Sequence, residues 1–116
     1  MKIYELHRLQ DVAAPLEKVF AFFAHPQNLE QLTPSSLRFR FLTPEPINIR
    51  EGAVIDYCLR IRAVPLHWRT MITCYDPPHR FVDEQLKGPY LFWHHTHVFV
   101  KVLGGTRIED LSLIHI

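Results

Sequence analysis

The chain has 116 residues, 13 basic side chains against 12 acidic ones, and an apolar fraction of 47%. That is long enough for one domain with its own core and too apolar for a disordered chain. A net charge of +1 builds no field for a phosphate backbone, and no apolar run nears the ~18 residues of a membrane span, which sets aside nucleic-acid binding, strong membrane binding and a helical anchor.

The N-terminus, Met1-Lys2-Ile3-Tyr4-Glu5, alternates and lacks the apolar stretch of a signal peptide, so a cytoplasmic location is expected. Residues 2–11 alternate throughout and predict a strand. Ala14-Pro15 opens a helix of about ten residues. Proline suits its first turn, Glu17 complements the positive end of its dipole, and Leu16, Val19, Phe20 and Phe23 share one face. His25-Pro26 interrupts it. A second short helix is predicted from Gln27 to Leu32, ended by Thr33-Pro34.

The remainder predicts strands: residues 37–43, 53–62, 66–75, 80–86, 91–103 and 106–114, separated by Pro44-Glu45-Pro46, Glu51-Gly52, Val64-Pro65, Asp76-Pro77-Pro78-His79, Gly88-Pro89 and Gly104-Gly105. Successive strands with short connections form an antiparallel meander. The fold class is therefore α+β, a sheet of about six to seven strands with two short helices after the first strand.

If Ala63 opposes Leu66, one face of the central hairpin carries Ile55, Tyr57, Leu59, Ile61, Trp68, Thr70, Ile72 and Cys74. The other carries Asp56, Cys58, Arg60, Arg62, His67, Arg69, Met71 and Thr73. One face is dry and one is wet. Cys58 and Cys74 fall on opposite faces, so no disulfide is expected. Onward, a four-residue loop at 76–79 puts Phe81, Asp83 and Gln85 on the dry face, whereas a bulge would put Val82, Glu84 and Leu86 there. With Gly104-Gly105 as the turn, Phe99 opposes Asp110, and a buried Phe99 brings Trp93, His95 and His97 to the same side.

These segments carry a family resemblance. Residues 14–23 (Ala-Pro-Leu-Glu-Lys-Val-Phe-Ala-Phe-Phe) and 26–34 (Pro-Gln-Asn-Leu-Glu-Gln-Leu-Thr-Pro) are followed by Trp68-Arg69-Thr70, by 77–85 (Pro-Pro-His-Arg-Phe-Val-Asp-Glu-Gln), by Gly88-Pro89-Tyr90 and by Trp93-His94-His95-Thr96-His97. The series resembles the SRPBCC superfamily over about residues 2–110. That superfamily includes START lipid-transfer domains, polyketide cyclases and pollen-allergen-like proteins. The later segments are similar to a bacterial subgroup described as ligand-binding or as cell-division inhibitors. The resemblance implies a helix-grip fold: a curved sheet around a long C-terminal helix, with a cavity between. Residues 111–116 (Leu-Ser-Leu-Ile-His-Ile) leave no chain for that helix, so the expectation is one domain over 1–116, truncated at its C-terminus, that is either marginal alone or covers its exposed sheet face by forming a homodimer.

The leading expectation is a binding or carrier module for a small apolar ligand, lipid-, polyketide- or quinone-like, without a cofactor. Its expected lining is Tyr57, Leu59, Trp68, Thr70, Ile72, Asp83, Gln85, Trp93, His95, His97 and Phe99, with Asp83, Gln85, His95 and His97 orienting a polar end. His95 and His97 share a face with Asp83, but two imidazoles two residues apart are weakly specific for an ion, and no metal is assigned. An alternative is a cyclase or dehydratase that uses Asp83 and His95 as an acid/base pair. No nucleophile motif or phosphate loop accompanies it, so no catalytic residue is assigned. A third reading is a regulatory domain that binds another protein.

Overall fold

The computed structural model describes residues 2–28 and 35–115. Seven antiparallel strands form one sheet: β1 (Tyr4–Val12), β2 (Arg40–Phe41), β3 (Val54–Ile61), β4 (Val64–Asp76), β5 (Arg80–Lys87), β6 (Phe92–Val102) and β7 (Gly105–His115). Their order in space is β1-β7-β6-β5-β4-β3-β2. Everything from β2 to β7 is a meander, and β1 closes onto its far edge beside β7. The first helix, α1 (Leu16–Ala24), follows β1, with Pro15 as its N-cap. Residues 26–28 make a further helical turn. The rest of the predicted second helix, to Leu32 and the Thr33-Pro34 stop, lies outside the described residues. A short 3-10 turn at Ser35–Leu37 leads to β2.

The predicted strand at 37–43 shrinks to Arg40–Phe41. It holds only two rungs with β3, Arg40 with Cys58 and Phe41 with Tyr57. Arg38, at φ +48°, bends the chain out of extended geometry just before it.

The central hairpin turns at Arg62-Ala63, not at Val64-Pro65. Both turn residues lie in the left-handed region, at φ +52° and +67°, as a two-residue hairpin turn of the primed type requires. Proline 65 is tolerated near the start of β4, opposite Arg60. Tyr57 therefore faces Trp68, and Ile55 faces Thr70. The predicted register was four positions away. An even offset preserves which side chains share a face, so the division into a dry and a wet side holds through Ile72.

Beyond Ile72 it does not. The ladder between β4 and β5 shifts at Arg69/Thr70 and again at Ile72/Cys74. Such bulges bend a strand and raise its twist, and they curve this sheet. The second shift sends Tyr75 and Phe81 inward as partners and puts Cys74 opposite Val82 on the outer side. Cys74 thus shares the outer face with Cys58, contrary to expectation. Both cysteines are free. Cys58 pairs with His67, and Cys74 is seven residues further along β4, ~23 Å away at strand rise, far beyond bridging distance.

The hairpin between β6 and β7 turns at Leu103-Gly104, with Gly104 at φ +83° and Gly105 already paired with Val102. Phe99 consequently opposes Ile108, and it is His97 that opposes Asp110. Gly105 has its own constraint: a Cβ there would overlap the Val12 carbonyl oxygen, because β1 crosses closely before α1.

One core forms where α1 crosses the sheet. Val19 and Phe20 of the helix bury against Phe81, Phe99 and Ile108. The Phe20 ring meets Phe81 and Phe99 edge-on at 5.8 and 5.1 Å. Each such side chain contributes roughly 2–3 kcal/mol by leaving water. Thr106, fully buried, donates from its hydroxyl to the Ala14 carbonyl at 2.8 Å and ties β7 to the helix entry.

Candidate functional site

Beside this core the curved sheet and the end of α1 enclose a pocket of about 330 Å³. Its walls are Phe23, Ala24, His25 and Pro26 at the helix end, Phe41 from β2, Ile49 from the segment before β3, Ile55 and Tyr57 from β3, Trp68, Thr70 and Ile72 from β4, Phe81 and Asp83 from β5, and Trp93, His95 and His97 from β6.

Eight of the eleven expected residues line it: Tyr57, Trp68, Thr70, Ile72, Asp83, Trp93, His95 and His97. Three do not. Leu59 is on the inner face but opposes Leu66, one inward rung past the Tyr57–Trp68 pair toward the hairpin tip. Phe99, 1% exposed, belongs to the core under α1. Gln85 turns away to hold the next loop: its side-chain amide donates to the Tyr90 carbonyl at 2.6 Å, and its oxygen accepts the Tyr90 N–H at 3.3 Å. The Gly88-Pro89-Tyr90 turn needs that latch because its own carbonyl and amide have left the ladder.

Among the residues missed, Ile55 and Phe81 stood on the predicted dry face, and Phe23 stood on the helix's apolar stripe. Ile49 and the contribution of His25-Pro26 carried no periodic signal.

Aromatic rings form one wall. Trp68 stacks on Tyr57 at 5.8 Å between centroids and meets Trp93 and Tyr90 at 5.5 and 5.7 Å. The Trp68 indole N–H is buried without a partner among the described residues. An unsatisfied buried donor costs ~1–3 kcal/mol, which a water or ligand acceptor would relieve. Burial raises the Tyr57 phenol well above its usual range. A contact with Thr70 opposes the shift, and the charge of Asp83 adds to it. Tyr57 is a neutral donor at physiological pH.

The polar end gathers four side chains from three strands. Cross-strand pairing sets Asp83 opposite His95 and His97 opposite Asp110. His97 lies between both carboxylates, with Nε2 at 2.8 Å from Asp83 Oδ2 and Nδ1 at 3.2 Å from Asp110 Oδ1. His95 is more loosely held, with Nδ1 at 4.0 Å from Asp83 Oδ2 and Nε2 at 3.6 Å from Asp110 Oδ1. The two imidazoles lie 3.8 Å apart between centroids with their planes tilted by 34°, and Phe81 stacks on His97 at 4.0 Å.

Burial by itself would lower the His97 pKa, but the hydrogen bonds and charges of Asp110 and Asp83 together outweigh it and raise it. Asp110 is drawn far below the usual carboxylate range by His95 first and His97 next, against the opposing effect of its burial. The expected acid/base pair was Asp83 with His95. The hydrogen-bonded pair is Asp83 with His97, and Asp110 enters the cluster only because the last hairpin turns one residue earlier than expected.

No protein-family model matches the chain, and no curated protein matches it in sequence. Solved structures do match it closely in shape. Protein CV1439 from Chromobacterium violaceum superposes with a TM-score of 0.76 at 16% identity, over 97% of this chain and 79% of that one. Protein Ms6760 from Mycobacterium smegmatis gives 0.73 at 20% identity, over 97% and 76%. A Thalictrum norcoclaurine synthase, a point mutant in complex with a transition-state analogue, gives 0.74 at 16% identity, over 99% and 77%. The seven-stranded antiparallel sheet with helical segments after its first strand is the helix-grip fold that these proteins share. At such identities the likeness establishes the fold and leaves function to the site itself. Among the described residues no helix is long and apolar enough to cross a membrane.

Proposed function

We propose that this chain binds a small, largely apolar molecule in the pocket between the sheet and the end of α1. One observation carries the reading: an apolar and aromatic wall of ligand-sized volume with its ionisable groups confined to one end. A packed core would have filled that space with side chains, as the neighbouring core does with Phe20 and Phe99. The Trp68 N–H, without a partner among the described residues, and the neutral Tyr57 hydroxyl supply donors along the wall. Asp83, His95 and His97 supply the polar end. Such a ligand gains roughly 25 cal/mol per Å² of apolar surface removed from water, and the polar groups set its direction. A carrier or sensor of lipid-, polyketide- or quinone-like molecules fits this chemistry.

The test uses a neutral fluorescent probe, N-phenyl-1-naphthylamine, in buffer with chelator and no detergent. The expected result is saturable enhancement at one probe per chain, with affinity reduced about tenfold or more, ~1.4 kcal/mol, in Trp68→Ala. Linear, unsaturable uptake, or an affinity untouched by a folded Trp68→Ala variant, would overturn the proposal.

A second reading, acid/base catalysis in the same pocket, is favoured by the 2.8 Å contact between Asp83 and His97. It predicts turnover that is lost in His97→Ala while probe binding persists. Turnover surviving in that variant excludes it.

A further inference from the structure

The cluster at the polar end of the pocket has an asymmetry that ligand orientation does not explain. His95 and His97 project from β6 two residues apart, on the same face of the strand. Each imidazole presents one nitrogen toward Asp83 and the other toward Asp110. Asp83 lines the pocket, whereas Asp110 does not. The two carboxylates thus bracket the imidazole pair from the pocket side and from behind.

A plain hydrogen-bonded cluster satisfies only half of this arrangement. His97 has two close partners, but His95 has none within hydrogen-bond reach, and its Nε2 is buried without a partner among the described residues. On the pocket side, Asp83, His95 and His97 each offer one ligand atom, all within 4.8 Å of one another. Around an ion held by bonds of ~2.0–2.2 Å, neighbouring ligand atoms lie about 3–3.5 Å apart. The observed contacts of 2.8 and 4.0 Å from Asp83 to the two imidazoles straddle that spacing and need only small side-chain shifts.

We propose that Asp83 Oδ2, His95 Nδ1 and His97 Nε2 form a site for a divalent transition ion of zinc-like preference, with Asp110 positioning both imidazoles from behind. Two nitrogens and one oxygen suit a borderline ion better than magnesium or calcium, which prefer all-oxygen sites. A ligating imidazole commonly donates its other N–H to a carboxylate, and Asp110 stands where both could do so. With ligation at Nδ1, His95 would present its orphaned Nε2–H to Asp110, only 3.6 Å away. Three protein ligands leave a coordination position on the pocket side for water or an oxygen of a bound molecule. The site stands whether or not the pocket takes an organic ligand.

Cobalt(II) and zinc(II) titrations of the chelator-stripped full chain, with no organic probe present, test the proposal. The expected result is one ion per chain, with the intense visible bands of a low-coordinate cobalt and an X-ray absorption signature of two imidazoles in the first shell. Asp83→Asn and His95→Ala should each weaken binding more than tenfold. Asp110→Asn should weaken it about ten- to a hundredfold and shift the cobalt bands while stoichiometry stays at one. His7→Ala and His67→Ala, on the opposite face of the sheet from the cluster, should leave binding unchanged. Absence of stoichiometric binding, a first shell with fewer than two imidazoles in the unsubstituted chain, or binding lost in the His7 or His67 variant instead, would overturn the site and leave the probe-binding result unaffected.

Discussion

The two halves of the inner sheet face are built from the same residue types and do different things. Under α1, Phe99 and Ile108 bury against Val19 and Phe20, and Phe81 stands at the boundary, packed into this core and also lining the pocket. Further across the same face, Trp68 and Ile72 of β4 and Trp93 of β6 are instead the wall of a pocket. Aromatic content does not distinguish the regions. What differs is their relation to α1: its Val19 and Phe20 bury into the core, whereas at the pocket only its last residues, Phe23 and Ala24, contribute. Further out, on β1, Tyr4 and Leu6 share the inner face with Ile114 and Ser112, yet are 44% and 49% exposed.

The sharpest break of this comparison is a pair of truncations. Phe99→Ala removes a ring packed on every side and should cost about 3–5 kcal/mol in denaturant unfolding. Trp68→Ala removes a larger ring with one side on open volume and should cost ~1–2 kcal/mol, despite its greater effect on probe uptake. Equal costs would mean that the pocket is packed in solution and the two halves are alike.

A smaller effect, of opposite sign, comes from the hairpin that carries the pocket's aromatic wall. Arg62 and Ala63 hold left-handed geometry that a side chain disfavours by roughly 1 kcal/mol or more per residue. Replacing them by Asn-Gly should stabilise the chain by about 1 kcal/mol, read as a rise in thermal midpoint without change in probe affinity. Loss of stability would show that the turn has another register.

The smallest effect is on the outer face. Asp56 accepts hydrogen bonds from His67 and Arg69 at 2.7 and 2.8 Å. Burial alone would raise its pKa, but those two partners outweigh it and hold the carboxyl below its ordinary value. A depressed folded pKa stabilises above the unfolded pKa of ~3.9 and is lost as pH falls through the folded value. Asp56→Asn should therefore cost less than about 1 kcal/mol at neutral pH, and the difference should vanish at acid pH below the folded value. A difference that persists there would assign the effect to packing.

Much of this was legible in the residues. Alternation in 53–62 and 66–75 separated Tyr57 and Trp68 from Asp56 and Arg69, and that separation survived a hairpin turn in the wrong place, because strand faces depend only on parity. The bulge after Ile72 broke the parity, so Cys74 fell on the wrong side. Bulges are set by how a strand must bend around what it covers, and a local pattern does not contain that information. For the same reason Phe99 looked like pocket lining: its face was right, but its position along the strand relative to α1 is a matter of packing.

By itself the sequence determined the order of elements, the meander and the dry face, because each follows from the spacing of side chains along a few residues. Tertiary structure decided which part of that dry face is core and which is pocket. It also decided that His97, not His95, is the imidazole gripped by Asp83, and that Asp110 completes the cluster. Those outcomes depend on the register between strands distant in sequence and on where a short helix stops, quantities fixed only when the whole sheet has curved around its contents.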